Sequence, residues 1–262
     1  MMNKQFDGLE LHQKEGVAII TLVRKESYNT LTLKIISALI NLLNSLASSD
    51  QTRVIVIAAD GKAFSTGHDL KEIGKKSEKK FLENLFSECA NLMLTIRRQP
   101  QPVICQVQGI ATAAGCQLVA SCDLVLASRK AQFATNGINN GLYCATPSVA
   151  LSRTIKPKHA LEMLLSGDFI NAERAMELGL VNKVFDDESL QKETLALAEK
   201  LAAKSPYALQ LGKRSFYEQI GLDLDKAYKK TSAQLIANIL SKDGQEGISA
   251  FIQKREPKWE NK

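Results

Sequence analysis

The stretch from Pro102 to Asp123 constrains the chain most. It opens with a short β-type run, Val103 to Val107, and turns at Gly109. Small residues from Ala111 to Gly115 follow, then a helix-compatible segment from Cys116 to Ser121. A strand, a tight small-residue turn and a helix put the first free N–H groups of a helix at the C-terminal end of a strand. Such amides, helped by the helix dipole, stabilise negative charge. Ala113, Ala114 and Gly115 carry almost no side chain, so a ligand atom has access to their backbone. Aimed at a carbonyl becoming an enolate, these amides form an oxyanion hole. Close packing of a helix on a strand also demands small residues, so the stretch alone leaves both readings open.

A second stretch, Phe64-Ser65-Thr66-Gly67-His68-Asp69-Leu70, follows another strand-like run, Val54 to Ala59. Together the two resemble the enoyl-CoA hydratase/isomerase, or crotonase, superfamily. The resemblance continues through Cys122 to Ala127, Phe133-Ala134-Thr135, Ser166-Gly167-Asp168, Ala175 to Val181 and Glu246 to Phe251, and so covers nearly the whole chain. It implies that the backbone N–H groups of His68 and Ala114 are the two oxyanion donors. It also implies a substrate, an acyl-CoA thioester, whose coenzyme A is part of the substrate rather than a separate cofactor. Arg24, His68, Asp69, Leu70 and Lys71 are expected along the CoA moiety. Phe251 and Lys254 match positions where the family uses a neighbouring subunit's C-terminal helix.

The family's hydratases add two glutamates, an acid and a base across the reacting double bond. One position is Gln117 here and the other is Gly137. Gln exchanges no proton usefully and Gly has no side chain, so hydration is expected to be weak or altered. Asp69, Asp123, Tyr143, Cys144 and His68 are the nearby substitutes considered. For Asp69 and Asp123 the structural reading is favoured, and for Tyr143 and Cys144 core packing. At His68 the family uses the backbone rather than the ring. Two other functions stay open: enolate chemistry needing no carboxylate pair, such as acyl-CoA decarboxylation, and acyl-CoA binding without catalysis. The chain lacks the glycine-lysine phosphate loop, the strand-linked dinucleotide glycines and the serine-hydrolase elbow, so those classes have no anchor residues.

Periodicity supplies the expected elements. Leu9–His12 and Val17–Val23 read as a hairpin turning at Glu15-Gly16. Thr32 to Leu46 has an apolar face at helical spacing, and Val54–Ala59 is a β-branched run suited to burial on both faces. Glu83–Arg97 is a helix closed by Pro100 and Pro102, and Leu124–Ser128 is a strand. From Ala145 onward helices dominate. The alternation argues α/β without choosing between a doubly wound sheet and a spiral. The resemblance implies the crotonase-type spiral of β-β-α turns. It also implies a core over residues 1–200 with an all-helical trimerisation region over 201–262, assembling as a homotrimer or a dimer of trimers.

Bulk composition excludes several partners. The 34 basic and 28 acidic residues are mixed along the chain, unlike the one-sided basic face of a nucleic-acid binder. No apolar run approaches the roughly 20 residues of a membrane span. Five cysteines, with no paired spacing and no neighbouring His, argue against a disulfide framework and against zinc. A reducing compartment is therefore expected: cytoplasmic for a bacterial chain, or the mitochondrial matrix for a eukaryotic one with its transit peptide removed.

Overall fold

The computed structural model describes residues 2–262. The chain runs β1 (Met2–Phe6), β2 (Leu9–Lys14), β3 (Val17–Leu22), α1 (Leu33–Ala47), β4 (Val54–Ala59), β5 (Ala63–Ser65), α2 (Leu70–Lys75), α3 (Lys79–Arg98), β6 (Val103–Val107), β7 (Ile110–Thr112), α4 (Ala114–Ser121), β8 (Leu124–Ser128) and β9 (Gln132–Ala134). It continues with α5 (Ala145–Leu151), α6 (Pro157–Ser166), β10 (Ile170–Asn171), α7 (Ala172–Leu178), β11 (Lys183–Phe185), α8 (Asp187–Ala202), α9 (Pro206–Gln219), α10 (Leu224–Leu240) and α11 (Lys242–Gln253).

Two sheets organise the body. The larger has the order β1-β2-β3-β4-β6-β8-β11, antiparallel through β3 and parallel beyond it. The smaller has the order β10-β9-β7-β5, with β5, β7 and β9 parallel. Each pass contributes one strand to each sheet and then a helix: β4-β5-α2-α3, β6-β7-α4, β8-β9-α5. The architecture is thus a spiral of β-β-α turns. The short second-sheet strands were not among the expected elements. Residues 63–76 contain β5 and α2 on either side of the turn at Gly67.

Alternation along the strands divides the core between the two faces of the large sheet. Val54 and Val56, with Val17, Ile104 and Leu126, face Leu190 and Ala198 of α8. Ile55 and Ile57, with Val103, Cys105 and Val125, join the larger core under α1, α3 and α4. Every residue of β4 is buried, as its β-branched run predicts. Helix α1 starts at Thr32, whose hydroxyl accepts from Ile35 N, and ends where Gln99 and Gln101 donate to the carbonyls of Leu43 and Leu46. Those side chains satisfy last-turn carbonyls that a helix otherwise leaves open.

Helices α9 to α11 bury little within the chain: Pro206, Ala227, Asp243 and Ala250. Their large apolar residues, Phe216, Ile220, Leu224, Leu240 and Phe251 among them, are exposed. A buried ion pair ties α9 to the body: Lys213 Nζ lies 2.6 Å from Asp123 Oδ2. Asp123 also accepts from Tyr217 OH at 2.7 Å and from Val103 N at 2.7 Å. An open cleft of about 390 Å³ lies between α9, α10, α11 and Trp259. Among the described residues no helix is long and apolar enough to cross a membrane.

Candidate active site

Two loops from neighbouring turns of the spiral meet at one end of the small sheet. The first leaves β5. Ser65 Oγ donates to Asn29 O at 2.8 Å and accepts from Gly67 N, while Gly67 O accepts from Leu31 N at 2.8 Å. The buried Asn29 side chain holds the same corner by donating to Asp60 O and Ala63 O. The second loop leaves β7 and enters α4. Ala113 adopts φ 50° and ψ −120°, a conformation an L-residue rarely takes, and its N–H donates to Ala134 O of the third turn. Such strain persists where surrounding structure over-determines it, and it clusters at functional sites.

Glycine is required where the two loops touch. Gly67 has φ +82°, and a Cβ there would lie 2.8 Å from Ala114 N. A Cβ on Gly115 would lie 2.1 Å from Ser65 O. The N–H groups of His68 and Ala114 therefore sit on adjoining backbone, and neither has an acceptor among the described residues. Ala114 is also the first residue of α4, where an unpaired N–H is the rule.

Asp69 caps α2, its Oδ1 accepting from Lys71 N at 2.9 Å and from Glu72 N at 3.3 Å. The His68 ring packs edge-on to Phe86 with centroids 5.2 Å apart. Its Nε2 is sealed without a partner, and burial lowers its pKa to about 4, so the ring is neutral at pH 7. Gln117, 4% exposed, stands one turn into α4, and its Oε1 accepts from Thr146 Oγ1 at 3.2 Å. Gly137 begins the second residue of a three-ten turn over Asn136–Asn140. A Cβ there would meet Leu142 O at 2.6 Å and Cys144 Sγ at 2.9 Å, so the space a side chain would need is filled. Burial raises the Cys144 thiol pKa above its ordinary value. The Tyr143 side chain is half exposed.

The other sequence-derived positions spread outward. Arg24 is half-buried and donates to Thr30 O at 3.2 Å. Leu70 and Lys71 occupy the exposed first turn of α2. Phe251 is 85% exposed on α11, and Lys254 caps that helix in the left-handed conformation, so within one chain neither is drawn into the body. Sequence reasoning missed Phe86, Cys89 and Thr146, which contact His68 and Gln117. Thr146 carried no signal beyond its place near the start of a helix. The Ala113 backbone conformation is likewise invisible in the residue's identity.

A spiral of β-β-α turns with paired unbonded amides at adjoining loops defines the class. The model of the enoyl-CoA hydratase/isomerase family matches residues 12–262, and the chain belongs to that family. Its fold is the crotonase fold. The chain is 45% identical over 247 residues to the mitochondrial enoyl-CoA hydratase domain-containing protein 3 of Homo sapiens, covering 94% of this chain and 82% of that protein. The crystal structure of human enoyl-CoA hydratase domain-containing protein 3 superposes with a TM-score of 0.94 at 45% identity, over 97% of this chain and 100% of that one. A Mycobacterium smegmatis structure titled enoyl-CoA hydratase gives the same TM-score and identity, over 97% of this chain and 99% of that one.

Proposed function

We propose that the protein binds an acyl-CoA thioester, holds its carbonyl oxygen between the amides of His68 and Ala114, and stabilises the enolate that forms when charge moves onto that oxygen. The observation that carries this reading is the contact of Gly67 with Ala114 N, which leaves two unbonded N–H groups on adjoining backbone. Donors preorganised in this way stabilise developing charge without reorganising during the reaction. Arg24, Asp69, Leu70 and Lys71 flank the CoA moiety in this reading, with Phe251 and Lys254 reaching it from a neighbouring copy. Coenzyme A is then part of the substrate, and no separate cofactor is required. The exposed apolar residues of α9 to α11 support a homotrimer or a dimer of trimers, with residues 201–262 as the oligomerisation region.

Hydration is weak in this proposal, because Gln117 and Gly137 stand where family hydratases carry glutamates and Asp69 is spent on a helix cap. The same observation favours, as a second reading, enolate chemistry that needs no acid–base pair, such as decarboxylation of a malonyl-type thioester. Side-by-side assays of crotonyl-CoA hydration and malonyl-type decarboxylation, with equilibrium binding of a saturated acyl-CoA, test these readings. Slow or undetectable hydration with clear thioester binding is the expected result. Rapid hydration by the natural chain would show that another base exists. No binding of any thioester would remove the proposed function altogether.

A further inference from the structure

We propose that Gln117 selects acyl groups bearing a hydrogen-bond acceptor on the carbon β to the thioester, a carboxylate above all; this rests on the thioester site proposed above. Thr146 Oγ1 lies 3.2 Å and Cys89 Sγ 4.0 Å from the same atom of the carboxamide. A hydroxyl and a thiol both have a proton to give, and sulfur is a poor acceptor, so the atom they share is the oxygen. This sets the orientation of the amide and turns its NH₂ away from both partners. That NH₂ has no acceptor among the described residues. Nor is it one of the sealed, partnerless atoms, which are Asn29 Oδ1, His68 Nε2 and Gln108 Oε1. It therefore opens onto accessible space.

The helix says where that space lies. Gln117 follows Ala114 by three residues and so shares its face of α4, about 4.5 Å further along the axis. Helical side chains lean toward the N-terminus, back over the amide of Ala114. In this proposal the NH₂ group stands beside the carbonyl cradle. An acyl group in this place meets several donors: two backbone amides, the carboxamide and the positive end of a helix. Asp69, the carboxylate of the first loop, has one oxygen committed to the cap of α2. An apolar acyl group would cover the NH₂ and leave it unpaired, which is costly, whereas a carboxylate would satisfy it with a charge-assisted bond. Both effects favour the acceptor-bearing ligand, and together they predict roughly tenfold to a hundredfold tighter binding. Thr146 is then a positioning residue that acts through Gln117.

The test compares malonyl-CoA with 3-methylbutyryl-CoA, two acyl groups with the same heavy-atom connectivity whose branches end in two oxygens or two methyl groups. Calorimetric titration of the full chain should show malonyl-CoA bound at least tenfold more tightly. Gln117→Met should remove this preference, and Gln117→Glu should reverse it by repulsion. Gln117→Met should also bind 3-methylbutyryl-CoA more tightly than the natural chain does, because the NH₂ that this ligand leaves unpaired is gone. Thr146→Val should shrink the preference, and Thr146→Ser, which keeps the hydroxyl, should restore it. Equal affinities for the two ligands in the natural chain would overturn the selection and leave the thioester site standing. So would a preference that survives in folded Gln117→Met. Failure of both ligands to bind would overturn the site and the selection together.

Discussion

Placing glutamates at positions 117 and 137 is the most searching perturbation, because the two positions respond differently. Gln117→Glu changes one atom of the side chain and keeps the bond donated by Thr146, so its cost is that of burying a carboxyl group without steric strain. Gly137→Glu is another matter. Gly137 does not have a positive φ, so no conformational penalty applies. The obstacle is steric: its Cβ would sit 2.6 Å from Leu142 O, and Leu142 N–H itself donates to Gly137 O at 3.0 Å. Making room means opening the turn over Asn136–Asn140. Overpacking of this kind costs about 1–3 kcal/mol, and losing the turn hydrogen bond adds about 1 kcal/mol. At about 2–4 °C per kcal/mol for a chain near this size, the melting temperature should fall by roughly 5–15 °C. Thermal unfolding gives the stability, and the decay of crotonyl-CoA absorbance gives hydration. The double variant should be unstable and should fall far short of the roughly 10² to 10⁴ that each well-placed acid or base supplies. A double variant with the natural melting temperature and a thousandfold gain in hydration would refute the argument, because it would show that the turn yields freely.

Gly67→Ala adds a methyl group at φ +82° and 2.8 Å from Ala114 N; it should cost about 1–3 kcal/mol and sharply weaken thioester binding, measured by unfolding and titration. Unchanged affinity in a folded variant would remove the close-approach argument. His68 takes a proton in the unfolded chain more readily than in the fold, where its pKa is about 4. Its contribution to stability is therefore complete above about pH 6.5 and lost as pH falls toward 4, by at most about 3 kcal/mol. Melting temperatures across pH 4–7 should show His68→Gln with a flatter acid limb than the natural chain. Asp123→Asn leaves the buried Lys213 ammonium without its counter-charge and should cost roughly 3–5 kcal/mol, more than Lys213→Met, when the two are compared by denaturant unfolding.

Local sequence determined the long elements. The apolar face of Thr32 to Leu46 and the β-branched run of Val54–Ala59 are each long enough to show a period or a burial pattern, and both formed as read. The small residues of the two loops pointed to close backbone approach, and Gly67 and Gly115 do meet the opposite loop too closely for a Cβ. The tertiary structure decided the rest. Strands β5, β7 and β9 have three residues each, too few for a period of two to declare itself, and they form only because parallel neighbours supply their partners. The orientation of Gln117 depends on Thr146, 29 residues away, and Asp123 is bonded to Tyr217 across 94. Whether residue 137 has room for a side chain depends on the carbonyl of Leu142 folding back over it. Such contacts depend on how the chain returns on itself in space, and no local pattern encodes them.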